Sequence, residues 1–542
     1  MTPIFDYIIV GAGSAGCILA NRLTEGGKYT VLLLEAGGPD DALRFKVPIG
    51  YVYTYYDRKS NWMYSMQPQK ELNNRTLYCP RGKVQGGSGS INALIYVRGQ
   101  KSDFDDWAAG GNPGWAFEDV LPYYKRLESH PLGNTEYHRA DGRVRITQMR
   151  GEAHPICDAF LDACARLGFP HNDDFNGASI EGAGIYDINT RDGMRDSSSR
   201  AYLEPALDRP QLTIEHHCLV ERIVFDIHKR ASGVTYRHNG QRPSTATAAR
   251  EVILCAGAVN TPKLLQLSGV GDEALLRKHG IPVVHHVPAV GKHLQDHVCV
   301  SYFYRANRRT LNDDFSSWSG KLRAGLQYLL MRKGPLSLSV NQAGGFFRSD
   351  PAQATPNIQL YFNPLSYGIP KDGSHSLRPE PYSGFLLAFC PCRPTSRGTV
   401  EVASADVAAA PLIQPNFLST DKDIEEAIKG SQLVRKIMGS EALKAITVEE
   451  TKPGSQVRSE ADMLQYFREE AGSIYHLCGS CAMGPDPATA VVSSRLKVHG
   501  LDSLRIVDAS IFPNVTSGNI NAPTMMVAEK GAAMILEDSG TW

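Results

Sequence analysis

A mixed α/β fold, α+β overall, is predicted by three features of the 542-residue sequence. A strand–glycine turn–helix–strand unit opens the chain, two further strand–turn–helix units lie far downstream, and short alternating strands and helices fill the region between. The length allows two large lobes. With 57 basic and 57 acidic residues the formal charge is zero, which gives no support to a nucleic-acid or polybasic membrane partner. The 11 cysteines are irregularly spaced and read as buried thiols, not as a disulfide framework. The start runs almost directly into a strand, without a basic leader or cleavage site, and no apolar run approaches the ~18 residues of a membrane span. A cytoplasmic location is expected, with peripheral membrane attachment left open.

The opening unit is FDYIIVGAGSAGCILANRLTEGGKYTVLLLEAG. Tyr7 to Val10 reads as a buried strand, Ile18 to Leu23 continues at helical spacing, and YTVLLLE is a second buried strand ending at Glu35. Gly11, Gly13 and Gly16 fit G-x-G-x-x-G. The first permits a tight turn, the second lets backbone approach a pyrophosphate, and the third lets helix and strand pack closely. Glu35 can accept hydrogen bonds from a ribose diol, and its charge disfavours a 2′-phosphate. The motif alone does not choose between FAD and NAD. No second G-x-G-x-x-G follows, since EGAGIYD has Asp187 where the third glycine would stand. One dinucleotide carrying its own redox centre is the simpler account.

Further along, the glycines of YCPRGKVQGGSGSINALIYVRGQKSDFDDW suit a loop laid against a flat ligand. FEDVLPYYKRLE and GEAHPICDAFLDACARLGFP read as helices. LTIEHHCLVERIVFD and ASGVTYRH alternate like antiparallel strands. REVILCAGAVNTPKLLQLSGVG and the carboxy-terminal LRIVDASIFP…NAPTMMVAEKGAAMIL are again strand, turn and helix. The pattern suggests a Rossmann-type nucleotide lobe of residues 1–155, 212–300 and 466–542. A substrate lobe of residues 156–211 and 301–465 would carry a mainly antiparallel sheet flanked by helices.

Together these blocks resemble the glucose–methanol–choline (GMC) oxidoreductase family over nearly the whole chain. GKVQGGSGSINALIYVRGQKSDFD resembles the first family signature, except that Gln85 stands where an aliphatic residue is usual. GAVNTPKLLQLSGVG matches the second, and VGKHLQDH, YHLCGSCAMG and GNINAPTMMVAEK are further family blocks. The sorbose, choline and aliphatic-alcohol dehydrogenase branch is the most similar. The resemblance implies FAD and oxidation of an alcohol by hydride transfer to flavin N5. It implies that Gly11, Gly13, Ser14, Ala15, Gly16, Glu35 and Ala36 hold the ADP half. Val84, Gly87, Asn92, Ala93 and Ile95 would lie along the flavin, with Val220 on the adenine side. Asp508, Ala509, Asn521, Pro523 and Thr524 would close the site from the carboxy terminus. Some relatives bond flavin covalently through a histidine near position 91; Ile91 here implies non-covalent FAD.

His476 matches the family's active-site histidine and Asn519 the second catalytic position, with Asn521 assigned to the cofactor. A histidine, with an unperturbed pKa of ~6.5, can take the proton an alcohol must lose. An amide can orient the carbinol. His154, His216 and His375 read as structural residues, and His293 and His297 as local structure. The H-x-C-x-x-C of His476, Cys478 and Cys481 superficially suggests zinc, but three ligands without a completing pattern do not make a recognised site. No thioredoxin-like context surrounds the cysteines either. No metal is expected. Cys481 reads as core, while Cys478 is a candidate for the pocket floor.

The substrate pocket is expected along RKGPLSLSVNQAGGFFRSD, with Asn341 and Phe347 as its candidates and Leu338, Ser339 and Gln342 nearby. Tyr51, Tyr53, Tyr55 and Tyr56 could cage a quaternary ammonium, although interface or lid packing suits them better. The implied partners are a small-molecule alcohol and a quinone or other electron acceptor; oligomeric state is open. The alternatives are an oxidase using O2 and, because fold does not fix chemistry, a lyase or photodecarboxylase.

Overall fold

The computed structural model describes residues 3–368 and 378–540; His375 lies outside them. The first strand, β1 (Ile4–Val10), is rich in β-branched residues, and its last four are fully buried. It ends at Gly11, whose φ of +100° turns the chain, and a Cβ there would stand 2.6 Å from the Cys255 carbonyl. Helix α1 (Ser14–Thr24) follows and is buried from Ala15 to Thr24. It packs down onto β1 because Gly16 has no side chain; a Cβ there would lie 1.9 Å from the Gly11 carbonyl. The all-buried β2 (Val31–Leu34) completes the unit, parallel to β1.

Four more strands extend this sheet: β3 (Leu212–Glu215), β4 (Cys218–Phe225), β5 (Ala231–His238) and β6 (Ser244–Leu254). Their order is β3-β2-β1-β6-β5-β4. β6 runs parallel to β1, while β4, β5 and β6 form an antiparallel meander. The expected antiparallel pairing of LTIEHHCLVERIVFD is therefore corrected in its first part. LTIE is β3 and lies parallel to β2 at the sheet edge. The run breaks at His217, whose φ of +56° redirects the chain into β4. Helix α2 (Gly257–Leu267) leaves β6 as α1 leaves β1.

The second sheet is antiparallel throughout. After β7 (Val298–Ala306) comes helix α3 (Trp318–Met331), then β8 (Ala343–Phe347), β9 (Ile358–Asn363) and β10 (Gly384–Pro391). Helix α4 (Asp421–Met438) and β11 (Thr447–Lys452) complete it. The order is β8-β9-β10-β7-β11, and the two-residue strand Gly472–Ser473 also pairs with β7. Every residue of β9 and β10 is buried, as expected of central strands covered on both faces. α4 closes one face, and its Gly430 admits the Phe389 ring so tightly that a Cβ would lie 2.1 Å from it.

The chain then returns to the first sheet. Strand β12 (Leu504–Ile506) runs parallel to the second half of β6, at Val252 to Leu254, beyond the point where β5 stops. Helix α5 (Asn521–Asp538) packs against α1. The contact is pinned by Arg22, which bonds the fully buried Glu529 at 2.8 Å. All 11 cysteines are free, and ten are buried. Among the described residues no helix is long and apolar enough to cross a membrane.

Candidate active site

A cavity of about 1500 Å³ connects the two sheets. At one end it is walled by the β1–α1 turn, Glu35, Val220 and the start of α5. At the other it reaches β7, β9 and β10 through Phe303, Tyr361, Asn363 and Leu386. The volume exceeds the ~300–1,000 Å³ of a pocket for one drug-sized molecule.

The nucleotide end has the chemistry of a phosphate and ribose site. α1 begins without a side-chain cap and with no acid in its first turn. Its terminal amides and the positive end of its dipole are thus left for an anion. α5 also starts on the cavity wall, equally without a side-chain cap or an early acid. The Glu35 carboxylate is fixed by the backbone amides of Ala12 (2.9 Å) and Gly37 (2.8 Å). Burial lifts its pKa to about 7, against the pull of those donors. Ser14 Oγ donates to Asn521 Oδ1 at 2.8 Å, tying the first helix to the last.

The glycine-rich loop reaches the turn because side chains are missing. Gly86 N donates to the Ala12 carbonyl at 2.7 Å. Gly87 sits at φ +56°, where a Cβ would be 2.8 Å from Gly13 Cα. Gln85 is buried and fully engaged: its Nε2 donates to Ser199 Oγ (2.8 Å) and Asp40 Oδ1 (3.2 Å), and its Oε1 meets His216 Nε2 at 2.8 Å. A polar residue is tolerated there because the network satisfies it. Arg195, which sequence reasoning missed, holds the loop from beneath. Fully buried, it donates to Asn92 Oδ1 and to the Asn92 carbonyl, both at 2.7 Å, and burial lowers its pKa to about 10. Asp508 accepts from Gly257 N (2.8 Å), Thr261 Oγ1 (2.6 Å) and Ser510 N (2.8 Å), locking α2 to the carboxy-terminal segment.

Most of the sequence-predicted cofactor residues line this cavity: Gly11, Gly13, Ser14, Ala15, Glu35 and Ala36 at the turn, Gly87, Asn92, Ala93 and Ile95 on the loop, then Val220, Asp508, Ala509, Asn521 and Thr524. Gly16, Val84 and Pro523 are buried behind the wall. Ile91 lines it. Of the substrate candidates, only Asn341 does. Phe347 ends an all-buried strand and packs edge-on to Phe169 with ring centroids 5.0 Å apart. Cys478 is wholly buried in the core of the first sheet, its backbone paired to Gln295 and its thiol pKa raised by burial. Tyr51, Tyr53, Tyr55 and Tyr56 are all in the cavity wall, and Tyr55 meets Tyr475 edge-on at 5.7 Å.

His476 and Asn519 face each other across the cavity wall, Nε2 to Nδ2 at 3.2 Å. The backbone N–H of His476 donates to Asp296 Oδ1 at 2.7 Å. Its Nδ1 lies 2.9 Å from Nδ1 of His297, whose Nε2 is 2.7 Å from the Cys392 carbonyl. These contacts assign the protons. A carbonyl only accepts, so His297 Nε2 carries hydrogen and, in the neutral ring, Nδ1 is an acceptor. His476 Nδ1 must then donate to it. Nε2 of His476 is left with its lone pair toward Asn519 and the cavity. Both rings are neutral. Burial lowers the His297 pKa to about 4. Burial also holds His476 well below its ordinary value, with Arg81 pushing the same way. Gln359 Nε2, 3.4 Å from Asn519 Oδ1, orients the amide. Cys478 and Cys481 play no part in this cluster, and among the described residues no three His, Cys, Asp or Glu side chains converge on a metal position.

A nucleotide cradle and a poised imidazole on one cavity point to a redox enzyme, and comparison with known proteins agrees. Two family models described as GMC oxidoreductase match residues 5–299 and 394–528. The chain belongs to the GMC oxidoreductase family. It is 41% identical to human mitochondrial choline dehydrogenase over 99% of this chain and 91% of that one. It is 40% identical to the alcohol dehydrogenase [acceptor] of Pseudomonas putida, over 98% and 96%. Among solved structures, pyridoxine 4-oxidase from Mesorbium loti superposes with a TM-score of 0.87 at 29% identity, covering 97% and 98%. The GMC cofactor is FAD, and the uncapped helices, the Glu35 carboxylate and the glycine-rich loop fit one.

Proposed function

We propose that this GMC oxidoreductase is an FAD-dependent dehydrogenase that converts a primary alcohol or polyol to a carbonyl product and passes the electrons to a quinone-type or artificial acceptor. The observation that carries the reading is the unprotonated Nε2 of His476, held beside the Asn519 amide on the cavity wall. Bound FAD supplies the hydride acceptor. A substrate hydroxyl seated beside the pair, within reach of both nitrogens, gives its proton to His476 Nε2 and accepts from Asn519 Nδ2, which turns the carbinol C–H toward the loop of residues 87–95. Arg81, on the same wall, favours negative charge on the substrate oxygen as the proton leaves. Tyr51, Tyr55 and Tyr56 are neutral at working pH, as phenols are, and burial raises their pKa further, that of Tyr55 to about 12. They offer the substrate hydroxyl donors and aromatic faces, and the latter make choline a member of the substrate panel. Ile91 has no atom that could bond a flavin, which supports non-covalent FAD.

A second reading, an oxidase using O2, draws on the likeness to pyridoxine 4-oxidase. An anaerobic alcohol screen, read by loss of oxidised-flavin absorbance, tests the reaction. H2O2 formed with alcohol as the sole reductant separates oxidase from dehydrogenase. Oxidised flavin unmoved by the whole panel, with cyanohydrin cleavage or light-driven CO2 release instead, would replace the proposal with a lyase or photodecarboxylase.

A further inference from the structure

Six of the large apolar side chains that the protein exposes lie on one helix: Trp318, Leu322, Leu326, Leu329, Leu330 and Met331 of α3. Trp318 is 77% exposed and Leu330 81%. Steps of four and three residues align Trp318, Leu322, Leu326 and Leu329 along one stripe. The residues that α3 buries against the protein, Gly320, Ala324 and Tyr328, form the opposite stripe. The helix thus buries two small residues and one tyrosine and turns its bulky apolar side chains toward solvent.

Charge surrounds this stripe asymmetrically. Between 308 and 333 stand six basic residues, Arg308, Arg309, Lys321, Arg323, Arg332 and Lys333, against two acids, in a chain whose charges sum to zero. The two acids of the segment are engaged within the protein. Asp313 accepts from Thr310 N and Ser383 Oγ, Asp314 pairs with the exposed Arg309 and Arg323, and Lys333 lies 3.9 Å from Glu152; such exposed pairs are weak, and the segment keeps its excess of positive charge. α3 also belongs to the cavity wall, through Lys321 and Ala324, and the exposed Tyr53 lines the same cavity.

We propose that the outward face of α3 is a membrane-docking surface for anionic bilayers. The apolar stripe enters the boundary between headgroups and acyl chains while the flanking lysines and arginines meet lipid phosphates. No transmembrane passage is involved. On the functional reading above, docking sets the α3 side of the cavity at the lipid, where an amphiphilic alcohol or lipid-dissolved acceptor is concentrated. The docking itself does not depend on that reaction.

Purified, FAD-loaded full-length protein is mixed with phosphatidylcholine vesicles, with and without phosphatidylglycerol, in the absence of substrate. Expected are co-sedimentation with the anionic vesicles that weakens with salt, and a blue shift of tryptophan emission that Trp318→Phe abolishes. Leu326→Glu/Leu330→Glu should weaken vesicle binding by roughly ten-fold or more, while FAD content and flavin reduction by a soluble alcohol stay unchanged. Leu326→Ser/Leu330→Ser, with the same thermal unfolding midpoint as wild type, repeats the test without added charge. Wild type that ignores anionic vesicles overturns the proposal, as does binding that both double variants retain. A vesicle-independent dimer split by either variant overturns it in favour of an interface between copies. Because binding is read without turnover, its failure is distinct from failure of the alcohol reaction.

Discussion

Replacing His297 with leucine tests the proton assignment at the centre of the site. His297 accepts the Nδ1–H of His476 at 2.9 Å and is itself fixed by the Cys392 carbonyl at 2.7 Å. The substitution removes the acceptor that holds His476 in the tautomer with a free Nε2. One neutral buried hydrogen bond is worth about 1–1.5 kcal/mol, or roughly ten-fold in the rate of flavin reduction. The orphaned Cys392 carbonyl destabilises the fold by about 1–3 kcal/mol, which unfolding reports separately. The pH profile moves too. Neutral His297 accepts from Nδ1–H and so stabilises the protonated His476 ring. With leucine in its place burial and Arg81 are left acting on that ring, and both lower its pKa, so the acid limb of the reduction rate shifts downward. Wild type should hold its rate through the ordinary histidine range. His297→Asn offers an amide oxygen near the lost Nδ1 and should recover much of the rate. The assay is anaerobic stopped-flow reduction at several pH values. A leucine variant that keeps its FAD and reduces at the wild-type rate, with an unshifted profile, would refute the relay.

The remaining predictions address the base, the cradle and the helix pair. His476→Ala should retain FAD and lose about 10²–10⁴-fold in flavin reduction; a wild-type rate with FAD bound would remove His476 as the base. Gly87→Ala must fit a methyl 2.8 Å from Gly13 Cα at a positive φ. It should lose FAD on gel filtration, and full retention would mean the loop does not need the close approach. Glu529→Ala leaves the buried Arg22 guanidinium with only the part-exposed Glu25 as partner and should lower stability by about 3 kcal/mol, checked by the urea midpoint; an unmoved midpoint would show that the helix pair does not rely on this contact.

What the sequence discloses here depends on how local the physics is. The β1–α1–β2 unit is legible because strand, glycines, helix and acid occupy one contiguous stretch, and each glycine meets its steric demand within that unit or just across β6. His476 and Asn519 are legible through their blocks. His297, 179 residues before His476, read only as local structure, since nothing along the chain marks which nitrogen of one ring will face another. Arg195 was missed for the same reason: its partners, Asn92 and Gly89, are about a hundred positions away. LTIE alternates like any half-buried strand, and alternation does not reveal whether the neighbour is parallel. Phe347 and Cys478 carried plausible pocket chemistry, but the direction of a side chain is decided by which faces of its strand or turn are covered. Here both are turned into core.

The hydrogen bond from Ser14 to Asn521 spans 507 residues. A ribosome therefore makes the first wall of the nucleotide site at the start of translation and the last wall at its end. Until β12 and α5 are synthesised, β6 has one half-edge open and α1 has no partner helix. Such a chain keeps the half-edge of β6 open, and its glycine turn short of the last wall, until the final segment is made, the condition under which unpaired edges find wrong partners. Assembly of the redox centre is thus a terminal event in the life of the nascent chain, and truncated products lacking the last helix cannot build the complete site.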